Sequence, residues 1–354
     1  MSDNSEKLIE VSALWKIFGK TQHEALEAIQ RGGLGKAEVL EQYDCVVGVH
    51  NVTFSVAKGE IFCVMGLSGS GKSTLVRLIN RLLTPTAGKV LVDGTDVTEM
   101  DDAALMALRN RRVAMIFQHF GLLPHRSVRD NVAMPLEIRG VSENKRWEVA
   151  DRVLRMVQLH DWQDRFAHEL SGGMQQRVGL ARAIAADPDV LLMDEPFSAL
   201  DPLIRRQLQD EFMQLSEVMK KTTIFITHDL DEAIRIGDRV AIMKDGAIVQ
   251  VGTPEEIVTH PADDYVSDFV AGISRVNLIK AHSIMLPVAE FEQRHGLLPA
   301  DIPSMNEEAT LADLIKTSVE HDGPILIIGT DDRPVGVISK DDLLGSVMAG
   351  STTE

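Results

Sequence analysis

Apolar positions along this chain fall into alternating stretches, short unbroken runs and helically spaced segments. Leu8 to Gly19 reads as a short strand that ends in aromatics, with Trp15 and Phe18 near its close. Residues 22–44 carry Ala25, Leu26, Ile29, Val39, Leu40 and Tyr43 among charges, at helical spacing around a Gly32-Gly33 break. An insertion of two short surface helices is therefore expected over 20–45. Val46 to Val56 alternates as a half-buried strand does, and Ala57-Lys58-Gly59-Glu60 turns the chain into the apolar run Ile61–Met65. Val90-Leu91-Val92 before Asp93-Gly94 predicts a hairpin, and Asp101–Arg112 a helix. Val113–Phe117, Val190–Met193 and Thr223–Ile226 are unbroken runs, short enough for strands covered on both faces. Residues 128–170 are mostly helical in pattern, which puts a helical subdomain at 122–180 between two parts of the core. Strands alternating with helices predict an α/β core with a mostly parallel sheet. Beyond Gly272 the texture changes. A boundary near Ala271–Ser274 is expected, with a compact β–α pattern resuming at Leu311–Val319, Ile325–Ile328 and Val335–Ile338. The expected division is thus 1–272 and 273–354.

Composition narrows the class. The chain has 354 residues, of which 44% are hydrophobic, enough for a full core and a second, smaller domain. A formal net charge of −17 argues against a nucleic-acid binder and against adhesion to anionic lipid. Two cysteines, Cys45 and Cys63, form neither a disulfide framework nor a metal-ligand spacing, which fits a reducing compartment. No apolar stretch approaches the roughly 20 residues of a membrane span, and the N-terminus lacks the pattern of a signal peptide. Any membrane role is expected to come through a partner.

The stretch that carries chemistry is Gly66-Leu67-Ser68-Gly69-Ser70-Gly71-Lys72-Ser73, followed by the helix-like run from Thr74 to Ile79. A strand, a glycine-rich loop and a helix start together make a phosphate cradle. Glycines let backbone N–H groups face phosphate oxygens, and the helix N-terminus adds positive dipole. Lys72 can reach the outer phosphates, and the Ser73 hydroxyl can ligate Mg²⁺. The chain is expected to bind a nucleoside triphosphate. Asp194 ends the Val190–Met193 run, where a carboxylate can hold Mg²⁺, and Glu195 next to it can polarise an attacking water. Leu170-Ser171-Gly172-Gly173-Met174-Gln175 places a serine and two glycines before another helix, a second anion-binding start without lysine. Two unlike half-sites in one chain are simply used if two copies face each other. His228, after Thr223–Thr227, stands where an imidazole could contact a γ-phosphate.

In this order, these elements resemble the nucleotide-binding subunit of an ATP-binding-cassette (ABC) transporter over roughly residues 8–270. The resemblance implies a P-loop NTPase cassette with Walker A at Gly66–Ser73 and Thr74 beside it. It implies a Q-loop at Gln118, a signature at Ser171, Gly172, Gly173 and Gln175, and Walker B ending in Asp194. Glu195 is then the catalytic carboxylate, Asp201 closes the D-loop Ser198-Ala199-Leu200-Asp201, and His228 is the switch. The implied cofactors are ATP and Mg²⁺, the metal resting on Ser73, Asp194 and Gln118. The implied adenine platform is Phe18, with Trp15 second. The resemblance further implies a homodimer on the cytoplasmic face of the inner membrane. Its implied partners are an integral-membrane permease and a periplasmic or membrane-anchored solute-binding protein.

Within the family, the insertion and the runs Gly66–Arg81, Phe197–Arg205 and Asp229–Arg239 are similar to importers of glycine betaine, proline betaine and choline. An importer of another small solute, such as an amino acid, is the alternative in the same class. A soluble ABC ATPase regulating a macromolecule is the alternative in another. Near the C-terminus, Gly336, Ser339 and Asp342 resemble the end of a cystathionine-β-synthase-type (CBS) motif, with one copy over 303–349. Either two chains pair their single copies, or the segment is a degenerate dimerisation module.

Overall fold

The computed structural model describes residues 6–117, 121–198, 200–273, 275–299, 302–329 and 331–348. It divides into two compact units, Met1–Val251 and Gly252–Glu354.

The first unit is built on two sheets. Strands β1 (Lys7–Phe18), β2 (Val46–Ala57), β4 (Ala87–Val92) and β5 (Thr95–Asp96) form an antiparallel sheet in the order β2-β1-β4-β5. The β4–β5 turn is Asp93-Gly94, with φ of 50° and 70°, the geometry that a two-residue hairpin requires. The second sheet contains β3 (Ile61–Met65), β6 (Val113–Ile116), β7 (Val190–Asp194), β8 (Thr222–Thr227), β9 (Arg239–Lys244) and β10 (Ala247–Gly252). Its order is β10-β9-β3-β8-β7-β6, and the five strands from β9 to β6 run parallel. Every residue of β3, β7 and β8 is buried, which is why their sequences show no alternation.

The helix Lys72–Ile79 ties the two sheets together. Leu75, Val76, Leu78 and Ile79 share a core with Val49, Phe54 and Val90 of the antiparallel sheet and with Phe62, Val64, Ile224 and Ile226 of the parallel one. The Phe54 and Phe62 rings stack across that layer at 4.8 Å. Elsewhere, Phe197, Phe212 and Phe225 pack together at tilted and edge-on angles. Helices Val128–Ile138, Glu143–Met156 and Gly172–Ala185 form the helical sector around Val132, Leu154, Leu159 and Val178. In the insertion, helices Gln22–Gly32 and Lys36–Tyr43 close a small core over Trp15, Ile17 and Val47. The first of these helices ends on Gly33 at φ 66°, the left-handed cap that glycine favours.

The second unit contains β11 (Ser304–Asn306), β12 (Ile325–Ile328) and β13 (Pro334–Ile338), with β11–β12 parallel and β12–β13 antiparallel. Leu311, Leu314, Ile325, Ile327, Ile338 and Leu343 form its core. The division falls after Val251 and not near residue 272, because helix Pro254–Thr259 is stitched to the C-terminal segment. The Glu255 carboxylate accepts hydrogen bonds from the Lys280 N–H at 2.9 Å and the Ser283 hydroxyl at 2.5 Å. Ser339 and Asp342 cap the last helix reciprocally. The serine N–H and hydroxyl both donate to the Asp342 carboxylate, and the Asp342 N–H donates back to the hydroxyl at 3.1 Å.

Phe212 is fully buried between Phe197 and Phe225. Phe212→Ala is expected to cost about 3–5 kcal/mol, from lost burial and the cavity left behind. A denaturant midpoint that does not move would contradict the placement of this ring at the centre of the first unit.

Candidate functional site

The site begins where β3 ends. Gly66, Gly69 and Gly71 have φ of 155°, 81° and 103°, backbone that other residues rarely adopt. A Cβ on Gly66 would lie 2.2 Å from the Met243 carbonyl oxygen, so nothing larger fits at that point. The loop then feeds the N-terminus of helix Lys72–Ile79.

Lys72 is only 4% exposed. Its ammonium donates to the carbonyls of Gly66 at 2.8 Å and Leu67 at 3.0 Å, and stands 3.9 Å from Glu195 Oε1. Burial lowers its pKa, while the neighbouring Glu195 and Asp194 carboxylates act in the opposite sense. Ser73 donates its hydroxyl to Asp194 Oδ1 at 2.7 Å, and Asp194 Oδ2 lies 3.6 Å from the Arg77 guanidinium. The Ser70 hydroxyl is buried in the loop without a partner.

These residues fit a nucleotide and its metal. A hydroxyl facing a carboxylate is an oxygen donor set of the kind that Mg²⁺ takes. The buried lysine supplies a positive charge and the orphaned Ser70 hydroxyl an unused donor.

Glu195 follows Asp194 in the left-handed region at φ 49°, a strained conformation for a glutamate. Its N–H donates to the Ile226 carbonyl of β8 at 3.0 Å, and its Oε2 lies 3.0 Å from His228 Nδ1. The structure therefore brings Lys72, Ser73, Asp194, Glu195 and His228, from three parallel strand ends, into one cluster.

The other expected residues stand elsewhere. Ser171 caps helix Gly172–Ala185, accepting from the Met174 N–H at 3.3 Å. Gly173 packs so closely on Ile204 that a Cβ would come within 2.9 Å of it. The Gln175 amide braces its own helix start, donating to the Ala167 and Leu170 carbonyls at 2.9 and 3.2 Å. Asp201 caps helix Pro202–Met219 by accepting from the Ile204 N–H at 3.1 Å. Gln118 lies outside the described residues.

Of the two aromatic candidates, Trp15 is 5% exposed and tilted against His50 inside the insertion core. Phe18 is 39% exposed. It borders Gly48, where a Cβ would meet the Phe18 ring at 2.7 Å and the Thr74 methyl at 3.5 Å. That contact sets the Phe18 ring beside the first turn after the phosphate loop. Arg77 was not among the expected site residues. Its place four residues after Ser73, on the same helical face, was the available signal.

A glycine-cradled loop that leads from one parallel strand into a helix, with two consecutive carboxylates at the end of another strand of the same sheet, defines the class of P-loop nucleotide-binding cassettes. The ABC transporter family profile matches residues 49–198. The chain is 50% identical over 276 residues to the glycine betaine/proline betaine transport system ATP-binding protein of Salmonella typhimurium, covering 78% of this chain and 69% of that protein. It is 41% identical over 344 residues to the trimethylamine N-oxide transport system ATP-binding protein of Ruegeria pomeroyi, covering 97% and 98%. A dimeric ATP-binding cassette solved in a post-hydrolysis state with ADP and Pi superposes with a TM-score of 0.59 at 29% identity, covering 70% of this chain and 98% of that one. This chain belongs to the ABC transporter family as one of its ATP-binding subunits, which are ATPases coupled to transport. No helix among the described residues is long and apolar enough to cross a membrane.

Lys72→Ala removes the cationic donor from the cradle. ATP affinity of the full chain should fall roughly ten- to a hundredfold, the worth of hydrogen bonds to a charged group. Titration with ATP checks this, and unchanged affinity would remove Lys72 from the phosphate site.

Proposed function

We propose that this chain is the ATP-hydrolysing subunit of an importer of quaternary amines: glycine betaine, proline betaine or choline. The observation that carries the reading is the identity of 48–50% to the ATP-binding proteins of several glycine betaine transport systems. In this reading the protein works as a homodimer at the cytoplasmic face of the membrane. It sits against an integral-membrane permease that receives solute from a solute-binding protein.

Ser73 and Asp194 would hold Mg²⁺, which when bound neutralises charge on the phosphates. The Lys72 ammonium exchanges its loop carbonyls for phosphate oxygens, which as anions make stronger, charge-assisted bonds. Glu195 orients the attacking water and takes up its proton, and His228 steadies the Glu195 carboxylate through Nδ1. Ser171 and Gly173 of one chain cap the nucleotide held by the partner chain, using the helix start that Ser171 organises. Phe18 offers a ring face to the adenine, a role that the burial of Trp15 disfavours for the tryptophan. Most of the rate gain comes from positioning and charge stabilisation, not covalent chemistry.

One observation favours a second solute. The relatives at 46% and 41% identity include ATP-binding proteins of two trimethylamine N-oxide transport systems, one of them matched over 97% of this chain. A methylated amine oxide is the second reading. In the C-terminal unit, Ser339 and Asp342 spend their polar groups on capping their own helix. That supports a dimerisation module over a CBS-type nucleotide sensor.

Glu195→Gln should keep ATP affinity, slow hydrolysis by about a hundredfold or more and accumulate an ATP-bound dimer. Single-turnover hydrolysis and light scattering read both effects, and ordinary turnover would end the general-base role. Solute identity is read by uptake of labelled glycine betaine, choline and trimethylamine N-oxide in cells deleted for the gene and complemented with wild type or Glu195→Gln. Uptake restored by wild type alone supports the proposal and selects the solute. Failure of all three solutes to move would overturn the amine assignment.

A further inference from the structure

Two loops carry the groups at the reacting phosphate: one runs from Glu195 to Asp201, the other from Thr227 to Asp229. Within the first, the Ser198 hydroxyl donates to the Glu195 carbonyl at 3.0 Å. Within the second, the Asp229 N–H donates to the Thr227 hydroxyl at 3.0 Å, and Asp229 Oδ1 caps helix Leu230–Ile236 through the Glu232 N–H. Besides the Glu195–His228 contact itself, the Arg205 side chain joins the loops. Arg205, in the first turn of helix Pro202–Met219, donates from Nη2 to the Leu200 carbonyl at 3.1 Å and places Nη1 3.5 Å from Asp229 Oδ2.

Further along, the same two helices are stitched twice more. Gln209 donates to the buried Glu232 carboxylate at 2.8 Å, and Arg235 pairs with Asp210. The Arg235–Asp210 pair joins helix to helix and touches neither loop, whereas Glu232 also hydrogen-bonds the Thr227 side chain of the second loop. Arg205 differs in reaching backbone of one loop and the carboxylate of the other. Its Nε is buried with no partner.

We propose that Arg205 is a positioning residue for ATP hydrolysis, a brace that holds the Glu195 loop and the His228 loop in register. The argument rests on the assignment of Glu195 and His228 to the reaction. A guanidinium suits the task because its planar fork offers donors in two fixed directions, where a lysine has one compact charge. Loss of the brace frees Glu195 and His228 to drift apart, and small misplacements of reacting groups cost rate without costing substrate affinity.

The test is steady-state ATP hydrolysis by the full chain with Mg²⁺, alongside its melting temperature. Arg205→Met should lower kcat by about tenfold or more, with KM for ATP within about threefold of wild type. Arg205→Lys should recover part of kcat. Asp229→Asn keeps the helix cap but removes the charge, and should lower kcat in the same direction. Combined with Arg205→Met it should add little more, as for two ends of one contact. Arg235→Met, which reaches neither loop, should leave kcat unchanged. An Arg205→Met protein with wild-type kcat, fully additive effects with Asp229→Asn, or an equal loss in Arg235→Met would each overturn the brace. A Glu195→Gln control that hydrolyses normally would instead strike at the underlying site assignment. Should Arg205→Met fail to fold, Asp229→Asn alone decides: unchanged kcat in that variant sinks the proposal.

Discussion

Strand β3 can deliver Lys72 to the middle of this molecule only because Gly66 leaves the strand at φ 155°, against the Met243 carbonyl of the adjoining strand β9. A Cβ there would collide with backbone, which cannot yield as a side chain can. Gly71 is similarly confined, since its Cβ would meet the Gly48 carbonyl oxygen at 2.4 Å. The loop is thus wedged between the two sheets, and the helix that follows is the element both sheets pack upon. The same constraint that closes the core sets the course of the loop.

Charge within the cradle is balanced internally. A lysine that is 4% exposed carries Glu195 at 3.9 Å, and Asp194, itself 4% exposed, carries Ser73 and Arg77. A buried ion is expensive unless paired, and here each has a partner within the cluster. The lysine is held mainly by neutral carbonyls, the weaker of the bonds open to an ammonium.

Strain is concentrated beside that balance. Glu195 occupies a left-handed conformation, fixed by the bond from its N–H to Ile226 in the neighbouring strand. The cost is met by the surrounding sheet, and the return is a carboxylate aimed across the strand ends at both Lys72 and His228. Helix Pro202–Met219 then grips the helix after His228 at three points, so the loops carrying these groups rest on one rigid pair.

The local features were legible in the sequence because they depend on neighbours along the chain. Unbroken apolar runs gave the buried parallel strands, glycine spacing before Lys72-Ser73 gave the cradle, and Asp194-Glu195 at a strand end gave the acidic pair. The resemblance gave the family. Contacts between distant segments were not legible. Trp15 and Phe18 lie three residues apart with similar ring chemistry. Only the insertion, folding two helices over one and not the other, made the first core and left the second at the site. Arg77 and Arg205 carry no assigned role in the sequence. Their meaning comes from Asp194 and Asp229, which the fold brings to them from 117 and 24 residues along the chain. The boundary between units moved for the same reason. Composition changes near residue 272, but the Glu255 carboxylate is bonded to Lys280 and Ser283, and such bonds follow packing and not texture. Sequence determined which chemistry this chain carries, because backbone geometry and residue type are local. The tertiary fold alone decided which side chains hold that chemistry in place.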